Sequence, residues 1–370
     1  MVQLRIVMGS KLIQFLVILL MLALTARGAD GLRAYTTKYY TIYTNAGPEM
    51  VREAEFRLTK MAQEYQRRTK GFSSGMAGQM PFYLYGDEQS YIEAGGRPGT
   101  SGMFTGQKLM AVVGEEWTAA TWHVVQHEGF HQYSRERIGN LPIWVEEGLA
   151  DYFGEAIFTG DRFIFGIIPT WRLRRVQQMI RGNRFRPMRD IMEYTYEDWN
   201  RDIAIENYDQ AWSMVQFLAQ AREGKLQKPF EEYVRRTSHG REAIQAWREI
   251  FGTTQEFQKA WSDYWLAQED STSTDLNIRA TAEIFAAFLA RAQERGQRFN
   301  TFGDFEKAAD KGTLRCRDDL WLPPTMLKQT LAAQLESQTN WKLKKDNSGA
   351  LQVVAILPDD RQITVKVALP

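Results

Sequence analysis

The pentapeptide His127-Glu128-Gly129-Phe130-His131, followed after fifteen residues by Glu147, constrains this chain more than any other feature. Two histidines four residues apart share a face only on a helix, so their ring nitrogens converge only if the segment around them is helical. Glu147 lies beyond Gly139-Asn140-Leu141-Pro142, a stretch that must end the first helix and start another. The local fold is therefore helix, short turn, helix. Brought together, two imidazoles and a carboxylate make a three-ligand set for one divalent cation, with a fourth position open to water.

The flanking sequence supports both helices. Thr118 to Ile138 offers Thr118 as an N-cap and contains no proline, with Gly129 as its main defect. In the second helix Glu147 and Asp151 stand four apart on one face. Glu146 projects about 100° from Glu147, so the two cannot face the same ion equally.

Composition narrows the partners. Across 370 residues, 46 Lys and Arg nearly balance 45 Asp and Glu, for a net charge of +1, so no polyanion partner is indicated and nucleic acid is not expected. The single cysteine, Cys316, allows no internal disulfide and no thiolate site, which leaves histidine and carboxylate as the metal ligands. Arg5 and Lys11 precede an apolar run, Leu12 to Leu24, too short for a bilayer core of about 20 residues. With Ala26, Gly28 and Ala29 behind it, residues 1–28 read as an export signal, or, if uncleaved, as a membrane anchor. The expected location is periplasmic or secreted, with no membrane span after signal removal.

Beyond residue 28 the expected class is α+β. Tyr39 to Thr44, Pro81 to Tyr85 and Leu109 to Val113 read as strands of a small mixed sheet, and Glu49 to Lys70 as a helix between the first two. An extended peptide could add to the strand just before the His127 helix by backbone pairing. Gly95 to Gly106, with five glycines and a proline, reads as a mobile loop able to cover a cleft. From Pro169 to Gln268 the periodicity is helical almost throughout, and a linker at Ser271 to Thr274 leads to one more helix and a terminal hairpin formed by Leu351 to Leu357 and Gln362 to Val367. The division expected is a catalytic unit over 29–270 and an extension over 271–370.

His127-Glu128-x-x-His131 with Glu147 on the next helix, in the context Trp144-x-x-Glu147-Gly148-x-Ala150-x-Tyr152-Phe153, resembles the gluzincin superfamily of thermolysin-like zinc metallopeptidases. The likeness covers about Thr37 to Gln268. It implies one zinc ion held by His127, His131 and Glu147, with Glu147 preferred over Glu146, and Asp151 orienting a ligand imidazole. It also implies hydrolysis of peptide or protein substrates, in which Glu128 takes a proton from a zinc-activated water and passes it to the leaving amine.

Such sites often add a Tyr or His that stabilises the oxyanion. Tyr208 occupies a suitable place at the start of a helix, the alternative being a tyrosine that only packs on the core. His123 is read as a rim or hydrogen-bonded residue, His239 as a helix end, and Trp144 as a core anchor. The seven arginines between Arg172 and Arg189 are followed at once by acidic residues and read as a solvated, self-neutralising surface. The Gly-x-Met-Glu-Asn stretch with which related aminopeptidases capture a free amine is absent, which favours an endopeptidase. The rival expectation is an inactive metal-binding or scaffolding protein that keeps the helix pair as structure.

Overall fold

The computed structural model describes residues 31–370 apart from 77, 202 and 336. The proposed export signal therefore lies outside the described residues. Among the described residues, no helix is long and apolar enough to cross a membrane.

The chain is α+β, with a small N-terminal sheet, a helical middle and a second sheet near the C-terminus. Strand β1 (Arg33–Thr36) pairs antiparallel with β2 (Tyr40–Thr44). Helix α1 (Pro48–Thr69) then crosses over to β3 (Met80–Tyr85), which runs parallel to β2. β2 alternates buried and half-buried residues, and its buried Tyr40 and Ile42 share a core with Leu58, Met61 and Tyr65 of α1. A short helix, α2 (Glu88–Glu93), leads to β4 (Gly102–Phe104) and β5 (Leu109–Val112). The strand order is β1-β2-β3-β5-β4, with β4 antiparallel to β5.

That order corrects two sequence expectations. The glycine-rich loop over 95–106 does not run as an unpaired lid, because its Gly102–Phe104 portion forms an edge strand. The strand at 109–112 is accordingly interior, paired on both sides, and β4 offers the open edge instead.

Helices α3 (Ala119–Arg137) and α4 (Ile143–Gly154) follow the expected pattern, and Thr118 caps α3 by accepting a hydrogen bond from Thr121 N at 3.0 Å. A two-stranded antiparallel ribbon, β6 (Ile157–Phe158) and β7 (Phe163–Ile164), follows α4 and leads to the helical middle, which contains α5 (Thr170–Arg181), α6 (Met188–Glu193), α7 (Tyr196–Arg201), α8 (Ile205–Gln220), α9 (Gln227–Ser238), α10 (Ala243–Phe251) and α11 (Thr254–Leu266). Trp144 is buried against Tyr233 and Trp247, as a core anchor should be.

Beyond them come α12 (Thr274–Glu294), α13 (Phe302–Asp310) and α14 (Pro324–Gln334). β8 (Asn340–Lys345), β9 (Leu351–Ile356) and β10 (Gln362–Lys366) form a three-stranded antiparallel sheet rather than the two-stranded hairpin read from sequence. α12 serves both halves of the protein. Its Ile284 and Ala287 join the main core, while Phe285 and Leu289 pack with Phe302, Phe305 and Val353 in a second core.

α4 lies so close to α8 that only glycine fits at 148: a Cβ there would stand 2.6 Å from both Ala211 O and Val215 Cγ2. Gly148→Ala must push the helices apart, and an expected loss of about 1–3 kcal/mol should appear as a lower urea midpoint. An unchanged midpoint would show that the contact yields without cost.

Candidate metal centre

α3 and α4 place His127, His131 and Glu147 around one point. His127 Nε2 and His131 Nε2 are 3.1 Å apart, and Glu147 Oε2 stands 3.6 Å from the first and 3.5 Å from the second. The donors of a tetrahedral zinc site with bonds near 2.0–2.1 Å lie about 3.3 Å from one another, so the three observed separations suit such an ion. The inward oxygen of Glu147 is buried and has no hydrogen-bond partner, an arrangement that is costly without a cation. Among the described residues these three form the one His, Cys, Asp and Glu group close enough to share an ion. Two imidazole nitrogens and a carboxylate oxygen are a donor set that fits zinc.

Both imidazoles are oriented from behind. Asp151 Oδ1 bonds His127 Nδ1 at 2.9 Å, which turns Nε2 inward. Glu146, the neighbour of Glu147 on α4, turns to the other side and meets His131 Nδ1 at 3.4 Å. The adjacent glutamates thus divide the work, Glu147 facing the point shared by the two imidazoles and Glu146 the back of the His131 ring. Burial disfavours charge on His131, yet the Glu147, Glu146 and Glu128 carboxylates hold its pKa well above the ordinary value. His127 is likewise raised, by Asp151 and Glu128 against burial. The field that raises both imidazoles also attracts a divalent cation.

Glu128 sits beside this group of three without joining it. Its Oε2 accepts a 2.8 Å hydrogen bond from the backbone N–H of Phe104, which ties it to the edge strand β4. Tyr208, at the start of α8, packs edge-on against Trp199 with ring centroids 5.2 Å apart. Burial, followed by the charge of Glu147, pushes its phenol up to about 12, and the Asp151 and Glu128 carboxylates add to the effect. A phenol so placed stays protonated and remains a donor.

Arg172 is the residue that sequence reasoning misplaced. Expected on a solvated surface, it is 3% exposed and reaches Asp151, Glu155 Oε1 at 3.0 Å and Asp209 Oδ1 at 3.0 Å. Its Nη2 also donates to the Tyr208 carbonyl at 3.3 Å. Burial raises the Asp151 pKa, but Arg172 and His127 together hold it well below the carboxylate range. Asp209 is raised by burial, against the pull of Arg175 and Arg172. Other members of the arginine stretch do behave as read: Arg174 pairs with Asp270 and Arg189 with Glu193 at the surface. His123 stands apart from the group of His127, His131 and Glu147, its ring against Gly154, and His239 closes α9 at the surface with Nδ1 on the Arg235 carbonyl.

Residues 120–240 match a family described as a protein of unknown function, DUF1570. That segment runs from α3 to just past α9 and holds every residue of the centre, from His127 to Asp209. No curated protein matches the chain.

Proposed function

We propose that this chain is a zinc-dependent hydrolase of gluzincin type that cleaves peptide bonds within polypeptides. The observation that carries the reading is the convergence of His127 Nε2, His131 Nε2 and the unpartnered Glu147 Oε2, with the Glu128 carboxylate alongside. Bound there, zinc would lower the pKa of a water to about 7 and polarise a carbonyl.

The protein's own groups supply the rest. Phe104 N–H fixes one oxygen of Glu128, and the other has no partner among the described residues, which leaves it to accept a proton and return it to the leaving amine. The Tyr208 phenol, protonated at neutral pH, can donate to the oxygen on which negative charge develops. Asp151 and Glu146 fix the imidazoles in one orientation.

A polypeptide substrate is favoured by the edge of β4. Thr105 N bonds Lys108 O, and Val112 N bonds Ser101 O, so the odd-numbered residues of this strand turn their backbone groups toward β5. Gly102 and Phe104 turn theirs outward; Glu128 takes the Phe104 N–H, and the N–H and C=O of Gly102 with the C=O of Phe104 are left for an extended peptide to pair with beside Glu128.

Purified protein should hold about one tightly bound zinc per chain, and His131→Ala should lose it. Zinc-loaded protein should then cut a mixed peptide library at internal bonds, read by mass spectrometry. A preparation with no tightly held metal would remove the reading.

A further inference from the structure

The helix that carries Glu128 also carries a cation aimed at the same strand. Glu128 and Arg135 are seven residues apart on α3, hence on one face and separated by about 10 Å along the axis. Arg135 abuts the turn that follows β4: a Cβ at Gly106 would lie 2.7 Å from its Nη1, and Gly106 takes a left-handed φ of 84°. Glu128 thus touches the strand at Phe104, and Arg135 touches the chain two residues further on.

Arg135 also borders a basin of about 570 Å³ whose wall includes Lys70, Arg137, Arg235 and His239, with Glu136 as its acidic residue. Arg235 is engaged by Glu232 and Arg137 by Glu136. Arg135 and Lys70 are both exposed and have no carboxylate partner among the described residues. The contrast with the carboxylate-rich centre one or two helical turns away is sharp, and it lies along the path a bound peptide would take.

We infer that this basin is a subsite for acidic side chains, so that the preferred substrates are peptides with Asp or Glu about three residues from the cut bond, on the Gly106 side. The spacing follows from the roughly 10 Å between Glu128 and Arg135 and a strand rise of about 3.4 Å per residue. The inference rests on the hydrolytic reading of the centre and adds the class of substrate to it. Exposed guanidinium and ammonium groups bind a carboxylate weakly and with strong dependence on salt, so the preference should be moderate and should fade at high ionic strength.

The test uses the full zinc-loaded chain and a library of decapeptides, with cut sites read by mass spectrometry. Acidic residues should be enriched about three positions from the cut on one side, and replacing that acid by its amide in a single peptide should lower kcat/KM about two- to fivefold, mainly through KM. In Lys70→Glu/Arg135→Glu the preference should invert toward lysine. Fluorescence anisotropy of an acidic against an amide-substituted decapeptide, at low salt and at about 1 M salt, reads the basin without hydrolysis. Cleavage with no acidic preference, or a preference that survives the double charge reversal, overturns the inference and leaves the hydrolytic reading standing. Salt-sensitive binding of the acidic peptide that the double variant loses, with no cleavage of any peptide, supports the basin and counts against the hydrolase. Binding that ignores both the acid and the variant overturns the basin whatever the cleavage result.

Discussion

Glu128→Gln is expected to keep its zinc and to lose about 10²- to 10⁴-fold in kcat, the range that a general base contributes. The substitution is close to isosteric, and its amide oxygen can still accept the hydrogen bond that Phe104 N–H gives to Oε2 at 2.8 Å, so β4 and the helix keep their relation. What it removes is the capacity to take a proton at neutral pH. Glu128 stands outside the group that can share an ion, so zinc content should stay near one per chain and peptide KM should change little. Zinc by elemental analysis and hydrolysis of a cleavable library peptide, run on one preparation, separate the roles. Loss of zinc would make Glu128 a ligand, and activity retained within a few-fold with zinc in place would remove it as the base.

How far the centre could be read from sequence depended on the range of the interactions that build it. His127, His131, Glu147 and Asp151 were legible because helical periodicity alone fixes which of them share a face, and a short turn leaves two successive helices little choice but to pack together. The five-stranded sheet was half legible. β2 and β3 announce themselves by alternation, but β1 and β4 are four and three residues long and exist through pairing with neighbours. β8 escaped notice for another reason: Lys342, Lys344 and Lys345 hide the inward alternation of Trp341 and Leu343, which pack on the second core. Glu146 showed its position but not its partner, since which side of His131 it meets depends on how α4 crosses α3. Arg172 was the least legible. Nothing local distinguishes it from Arg174, two residues on, which lies at the surface. Only the packing of α5 against α8 encloses one and exposes the other, and the signal available was the acidic excess on the two helices it touches, Asp151 with Glu155 at the end of α4 and Asp209 on α8.

Arg172→Met should cost both stability and metal affinity, and the two losses should be separable. The buried guanidinium faces the carboxylates of Asp151, Glu155 and Asp209, and once it is gone Asp209 keeps Arg175 at 2.7 Å while Asp151 keeps only His127. Removing one partner from a buried ionic cluster typically costs about 3–5 kcal/mol, because the remaining charges stay out of water without compensation. A urea midpoint measured on the metal-free protein reads that cost. Lysine at 172 restores the charge but not the fork that reaches three carboxylates at once, so it should recover only part of it. The metal loss has a different origin: Asp151, no longer held by Arg172, can swing off His127 Nδ1 and release the imidazole from its inward orientation, which should weaken zinc binding about 10- to 100-fold. Arg172→Met/Glu155→Met distinguishes these causes, because Arg172 is the one cation that Glu155 meets among the described residues. Removing that carboxylate with its cation should return part of the stability, since apolar replacement of a buried ionic group is often neutral, while Asp151 remains unheld and zinc affinity stays low. Recovery of zinc affinity together with stability in the double variant would show that Arg172 serves the fold alone and leaves the orientation of His127 to Asp151 unaided.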